Sequence, residues 1–129
     1  MKKLFVLSCV LLLIFSCKEE VNPKSKLVTP AELQELSKMD DVQLVDVRTP
    51  EEYEEGYIEG FRNIDFLDDS FDEEIEKLDK NKPVVVYCRS GKRSSSCTKK
   101  MIEKGFVKVY DLDGGITKWM SEGNDVVIE

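Results

Sequence analysis

The 129-residue chain contains no histidine. That absence removes Ser-His-Asp and Cys-His nucleophile pairs, histidine general bases and histidine-ligated metal sites. Any chemistry must therefore run on carboxylates, arginine and lysine, backbone amides or cysteine, and no metal or other cofactor is expected. Basic residues are in deficit, with 19 Lys and Arg against 26 Asp and Glu, a formal charge of −7. Such a balance argues against nucleic acid as a partner, because binders of nucleic acid carry a basic face. No apolar run reaches the roughly 20 residues of a membrane-spanning helix, and neither an internal repeat nor a low-complexity tract is present. What remains, 41% hydrophobic and 35% charged, is the composition of one folded domain and not of a disordered chain.

The first residues read as an address. Lys2 and Lys3 precede Leu4–Phe15, a 12-residue run that is almost wholly apolar and suits the h-region of a secretory signal. The stretch Leu13-Ile14-Phe15-Ser16-Cys17 resembles the lipobox of bacterial lipoproteins, with an aliphatic residue three before the cysteine and a small one just before it. Phe15 is bulkier than that pattern usually carries. The resemblance implies that residues 1–16 are a signal peptide. Cys17 would then be the acylated first residue of a chain held in the bacterial cell envelope, at the periplasmic face or the cell surface. Read without the resemblance, the segment is an ordinary signal peptide or an uncleaved anchor, and Cys17 is incidental. Removing residues 1–16 leaves 17 basic against 26 acidic residues, a charge of −9. Residues 17–26 are read as the lipidated N-terminus and a flexible tether, and residues 27–129 as the folded domain. The lipid is the only membrane contact expected, and the domain is expected to be monomeric.

Strand and helix signals alternate along that domain. Thr29-Pro30-Ala31-Glu32 has the form of a capping box with proline at the first helical position, predicting a helix to about Ser37. Val42–Val47 is rich in β-branched residues. Thr49-Pro50-Glu51-Glu52 repeats the capping pattern before a short helix, and Asn63-Ile64 suits a brief strand. Phe71–Leu78 places Phe71, Ile75 and Leu78 on one helical side. Val84-Val85-Val86-Tyr87 is unbroken apolar, as in a strand covered on both faces. A helix is predicted from Ser94 to Lys104, a strand over Phe106–Tyr110 and a last helix over Gly115–Glu122. Alternation at this spacing implies an α/β fold with a central parallel sheet of about five strands and helices on both faces.

Ligands of such sheets bind beyond the carboxyl ends of the strands. The segment there is Cys88-Arg89-Ser90-Gly91-Lys92-Arg93-Ser94. Cys88 is the one nucleophile at a strand end, and Arg89, Lys92 and Arg93 gather positive charge in an acidic protein. Gly91 lets successive amides curl inward as an anion nest, and the following helix adds its positive end. These features favour a thiolate without histidine and would hold an oxyanion beside the sulfur.

The loop Val85–Ser94 resembles the active-site loop of the rhodanese family. Leu44-Val45-Asp46-Val47-Arg48-Thr49-Pro50-Glu51-Glu52-Tyr53, Gly56–Ile64, and the run from Lys104-Gly105-Phe106 through Leu112-Asp113-Gly114-Gly115-Ile116 to Trp119 are similar to the family's other signatures, in the same order. The resemblance implies a three-layer rhodanese-like fold and sulfane-sulfur transfer through a Cys88 persulfide. Thiosulfate or a similar sulfur anion would be the donor, and cyanide, a thiol or a protein the acceptor. It further implies that Arg89, Ser90, Gly91, Lys92, Arg93 and Ser94 bind the substrate, while Asp46 and Arg48 support the strand end. Tyr57 stands where the family usually has a histidine.

Three other readings remain. One is a phosphatase or arsenate reductase, whose loop carries five residues between cysteine and arginine, whereas Arg93 comes one place early and position 94 is Ser94. Another is a non-catalytic binding module, which the intact Cys88 loop disfavours. The third is a persulfide relay to a partner protein. Cys97 is read as a packed helix residue, although a bridge to Cys88 is left open. The run Glu51, Glu52, Glu54 and Glu55 is read as a solvated face.

Overall fold

A computed structural model describes residues 22–129. The segment expected to be a signal peptide, Cys17 as the expected acylation site, and residues 17–21 of the expected tether lie outside the described residues. Five strands form one parallel sheet: β1 (Ser25–Val28), β2 (Gln43–Asp46), β3 (Arg62–Asn63), β4 (Val84–Tyr87) and β5 (Val109–Leu112). Their spatial order is β1-β5-β4-β2-β3. Between them run the helices α1 (Pro30–Leu36), α2 (Pro50–Glu55), α3 (Phe71–Glu76), α4 (Lys92–Glu103) and α5 (Gly115–Ser121).

Local chemistry sets several of these boundaries. At α1 the capping box is closed: the Glu32 amide donates to Thr29 Oγ1 and the Thr29 amide donates to Glu32 Oε1, each at 3.2 Å. At α2 the Glu52 amide donates to Thr49 Oγ1 at 3.3 Å, but the Glu52 carboxylate is engaged by an arginine 41 residues onward. The all-apolar β4 is the centre of the sheet, and its side chains split by the two-residue period of a strand. Val84 and Val86 join Val45, Val47 and Val109 beneath Phe71, Ile75, Cys97 and Met101 of α3 and α4. Val85 and Tyr87 join Val28 and Leu112 against Leu33, Ile116 and Trp119 of α1 and α5. The result is the three-layer α/β fold, with a core on each face of one sheet. Each buried aliphatic or aromatic side chain contributes about 1.5–3 kcal/mol of transfer free energy.

Three differences from the sequence expectations have physical causes. Strand β1 begins at Ser25, inside the stretch read as tether. Its Ser-Lys-Leu-Val sequence buries only Val28, so it lacks an apolar signature. Backbone pairing with β5 orders it instead, and the contact starts earlier still, where the Val109 amide donates to Lys24 O at 2.8 Å. Helix α4 begins at Lys92 and not near Ser94, with Gly91 as its N-cap, so Lys92, Arg93 and Ser94 form the first helical turn. Strand β5 is shifted from 106–110 to Val109–Leu112. Phe106 is fully buried but serves as a plug after α4, its amide donating to Met101 O at 3.1 Å.

Candidate active site

Cys88 directly follows β4, and its side chain is 1% exposed. The chain then turns at Gly91, whose φ of +110° is open to glycine and strained for other residues. That turn aims the Gly91 amide at sulfur, donating to Cys88 Sγ at 3.1 Å. Ser94, fully buried in the first turn of α4, places Oγ 3.4 Å from the same sulfur and donates to Gly91 O at 3.2 Å. The sulfur thus lies at the N-terminus of the 12-residue α4, where the helix dipole favours negative charge.

Helix α5 supports this loop from below. The Ile116 amide donates to Cys88 O at 3.0 Å and the Thr117 amide to Arg89 O at 3.1 Å. Gly115 makes the approach possible: its φ is +60°, and a Cβ there would run into the carbonyl oxygens of Cys88 and Arg89.

The loop cations are arranged differently from the sequence expectation. Arg93 donates through both terminal nitrogens to Glu52, at 2.7 and 2.9 Å, and Arg89 Nε lies 3.3 Å from the same carboxylate. Two of the three cations expected to draw in an anion are therefore held by α2, while Lys92 and Ser90 are exposed. The Arg93 hydrogen bonds, opposed in part by burial, hold the Glu52 carboxyl down at about 2. Glu52 is the site residue that sequence reasoning missed. Within its acidic run nothing local marks it, because its partner is distant in the chain. The one hint was its place at the third position of a Thr49 capping pattern it leaves incomplete.

Asp46 and Arg48 form a buried pair at the end of β2. Arg48 Nη2 lies 2.7 Å from Asp46 Oδ2 and also donates to Gly56 O at 2.7 Å. Asp46 Oδ1 accepts the Arg48 amide at 2.9 Å. Their polar groups thus tie the strand end to the turn after α2. Tyr57 stacks on Tyr53 with ring centroids 4.1 Å apart. Its hydroxyl donates to Glu129 Oε1 at 2.8 Å, a bond that pushes the phenol up to about 12. Its backbone pairs with Val127, so the C-terminal segment docks at this position. Cys88 and Cys97 are both unbridged. Cys97 is fully buried with its sulfur 3.6 Å from Met101 Sδ, and burial pushes its thiol up, away from thiolate chemistry.

A nucleophilic sulfur held by a backbone amide, a buried hydroxyl and a helix N-terminus can carry a second sulfur as an anion. Residues 29–122 match the rhodanese-like domain family. The chain belongs to that family. The thiosulfate sulfurtransferase GlpE of Coxiella burnetii is 38% identical to it over 94 residues, 73% of this chain and 86% of that protein. The thiosulfate sulfurtransferase GlpE of Pseudomonas aeruginosa is 36% identical over 94 residues, 73% of this chain and 83% of that protein. A crystal structure of a rhodanese-related protein from Thermoplasma volcanium superposes with a TM-score of 0.71 at 31% identity, covering 81% of this chain and 99% of the other. The polysulfide-sulfur transferase homodimer of Wolinella succinogenes gives a TM-score of 0.69 at 28% identity, covering 82% and 80%.

Proposed function

We propose that this rhodanese-type sulfurtransferase takes sulfane sulfur from thiosulfate onto Cys88 and passes it to cyanide or a thiol. The observation that carries the reading is the pair of groups on the sulfur: the Gly91 amide at 3.1 Å and Ser94 Oγ at 3.4 Å.

In the first half-reaction the Cys88 thiolate attacks the outer sulfur of thiosulfate. The bond between the two thiosulfate sulfurs breaks, its electron pair leaves with sulfite, and a persulfide anion remains on Cys88. In the second, the acceptor attacks the terminal sulfur and the Cys88 thiolate leaves. With cyanide the product is thiocyanate; with a thiolate it is that thiol's persulfide. No outside oxidant or reductant is needed, and the donor and acceptor steps alternate on one nucleophile. The Gly91 amide donor and the N-terminus of α4 face the position where negative charge rests in both sulfur forms, with the Ser94 hydroxyl alongside.

Two features favour sulfur over phosphoryl chemistry. Arg93, the arginine that comes one place early, has both its terminal nitrogens taken by Glu52. The place a phosphatase loop would give to arginine is held by Ser94, whose short hydroxyl fits close to sulfur. Within the same proposal, Cys17 carries the lipid that holds the domain at the cell envelope, with the acceptor a small thiol or a partner protein there. The test is intact mass of the purified protein before and after thiosulfate. Gain of one sulfur atom, lost again with cyanide, is the expected result. Failure of a demonstrably free Cys88 to gain sulfur would overturn the reading.

A further inference from the structure

The transfer cycle leaves one groove beside the sulfur loop unused. On one face of the sheet α3 and α4 cover β2, β4 and β5, and no residue of β1 joins that core. The uncovered edge leaves a groove of about 1240 Å³ between β1 and α4. Leu27, 63% exposed, forms one wall and Thr98 and Ile102 of α4 form the other. The groove ends at Ser90 and Gly91. Gly91 is the residue whose amide holds Cys88 Sγ at 3.1 Å.

Asp111 forms the floor. It pairs with Leu27 on one side and with Val86 on the other. Val109, two residues earlier on β5, packs in the core beneath α4, so Asp111 points to the same face. It is 5% exposed, and among the described residues its Oδ1 has no hydrogen-bond partner. A buried carboxylate oxygen without a donor is costly, so the position suits a cation brought from outside. The neighbouring lysines do not supply one. Lys26 is held by Glu32 at 3.2 Å, and Lys99, at the exposed rim, makes no ion pair with Asp111 among the described residues. Cys88 lies two residues beyond Val86 and on the same face. The carboxyl and the sulfur thus sit on neighbouring strands, with Cα atoms about 8 Å apart.

We propose that this groove is the acceptor subsite for a short aminothiol, which lays its ammonium group on Asp111 and its sulfur at the Ser90–Gly91 end. The inference rests on the sulfurtransferase reading and names its acceptor. Leu27 and Ile102 flank the carbon chain. The acceptor reacts as its thiolate, having given its proton to water. Its sulfur bonds to the terminal sulfur of the Cys88 persulfide, the bond to Cys88 Sγ breaks, and that electron pair returns to Cys88 as the thiolate. The product is the aminothiol persulfide, and no outside oxidant or reductant enters. A neutral thiol leaves the Asp111 carboxylate unpaired, and an anionic thiol meets its charge, so the groove ranks acceptors by charge.

The test loads the purified protein with thiosulfate, removes the excess and follows loss of the sulfur by rapid mixing and intact mass. Cysteamine, mercaptoethanol and mercaptopropionate are compared at equal thiolate concentration. Cysteamine should discharge the wild type about tenfold faster than mercaptoethanol, the scale of one hydrogen bond to a charged group, and mercaptopropionate should be slowest. Asp111→Asn should lose the cysteamine advantage. Glu54→Gln, which removes an exposed acid of α2, should keep it. Equal rates for cysteamine and mercaptoethanol in the wild type overturn the proposal. So does an advantage that survives Asp111→Asn, or one that Glu54→Gln loses equally, since net charge would then be its source. The groove is also probed without sulfur transfer. Methylthioethylamine has no thiol to react, and it should shift the Ser90, Gly91 and Asp111 amide resonances of unloaded wild type but not those of Asp111→Asn. Methylthioethanol should shift neither. No shift with the amine overturns the proposal. A free Cys88 that takes no sulfur from thiosulfate overturns the cycle itself, and the amine titration then decides the groove on its own.

Discussion

Replacing Glu52 by glutamine keeps the side chain's size and removes the one negative charge shared by Arg93 and Arg89. In the folded protein the Glu52 carboxyl is held at about 2 against an ordinary 4.5. At about 1.36 kcal/mol per unit that difference sets a ceiling of about 3.4 kcal/mol on what the ionised form adds to stability. The carboxylate is 18% exposed and the Arg89 side chain 60% exposed, so solvent screening reduces the figure to about 1.5–2 kcal/mol. The folded-state value is depressed. The contribution is therefore complete above about pH 4.5 and is lost as pH falls toward 2. Glu52→Gln should accordingly unfold at lower urea at pH 7, by the amount above, and the gap to wild type should close between pH 5 and pH 2. Because Arg93 belongs to the first turn of α4, thiosulfate loading of Cys88 should slow as well. A stability loss that is equal at pH 7 and pH 3 would refute the reasoning, since it would show that the carboxylate charge is not its source. So would a loss below about 0.5 kcal/mol at pH 7, the level of an ordinary surface pair.

Gly115→Ala puts a Cβ against the carbonyls of Cys88 and Arg89. It should destabilise the fold by about 3 kcal/mol, from left-handed strain and two weakened hydrogen bonds, and abolish sulfur loading; a melting temperature within a degree of wild type would contradict this. Cys97→Ala should lose about 1 kcal/mol from a small core void yet load sulfur as wild type does, which single-turnover mass measurements check. Cys17→Ala should move the protein from the membrane fraction to the soluble fraction of expressing cells, as followed by fractionation and immunoblot.

The elements that the sequence announced are those whose signals are local. Thr29 and Glu32 meet within one helical turn, and the apolar run Val84–Tyr87 needs no knowledge of its neighbours to be read as a strand covered on both faces. Cys88 stood out because nucleophile, glycine and helix start are consecutive. What escaped depends on partners distant in the chain. Strand β1 is polar and gains its order from pairing with β5, more than 80 residues away. Phe106 and Val107 have strand-like sequence, but Phe106 plugs the end of α4 while Val107 is exposed, and only the pairing register shows that β5 starts at Val109. Glu52 looked like one more surface acid until α4 brought Arg93 to it. Asp111 was hidden by the same shift in β5, which turned a residue expected past the strand into one facing the core.

The sulfur cycle at Cys88 is tested most directly by intact mass of the full chain and its Cys88→Ser variant, recorded before thiosulfate, after it, and after cyanide. The account predicts that wild type alone gains one sulfur, in a form that cyanide removes as thiocyanate. An equal gain by Cys88→Ser, or none by wild type with its thiol free, would contradict it.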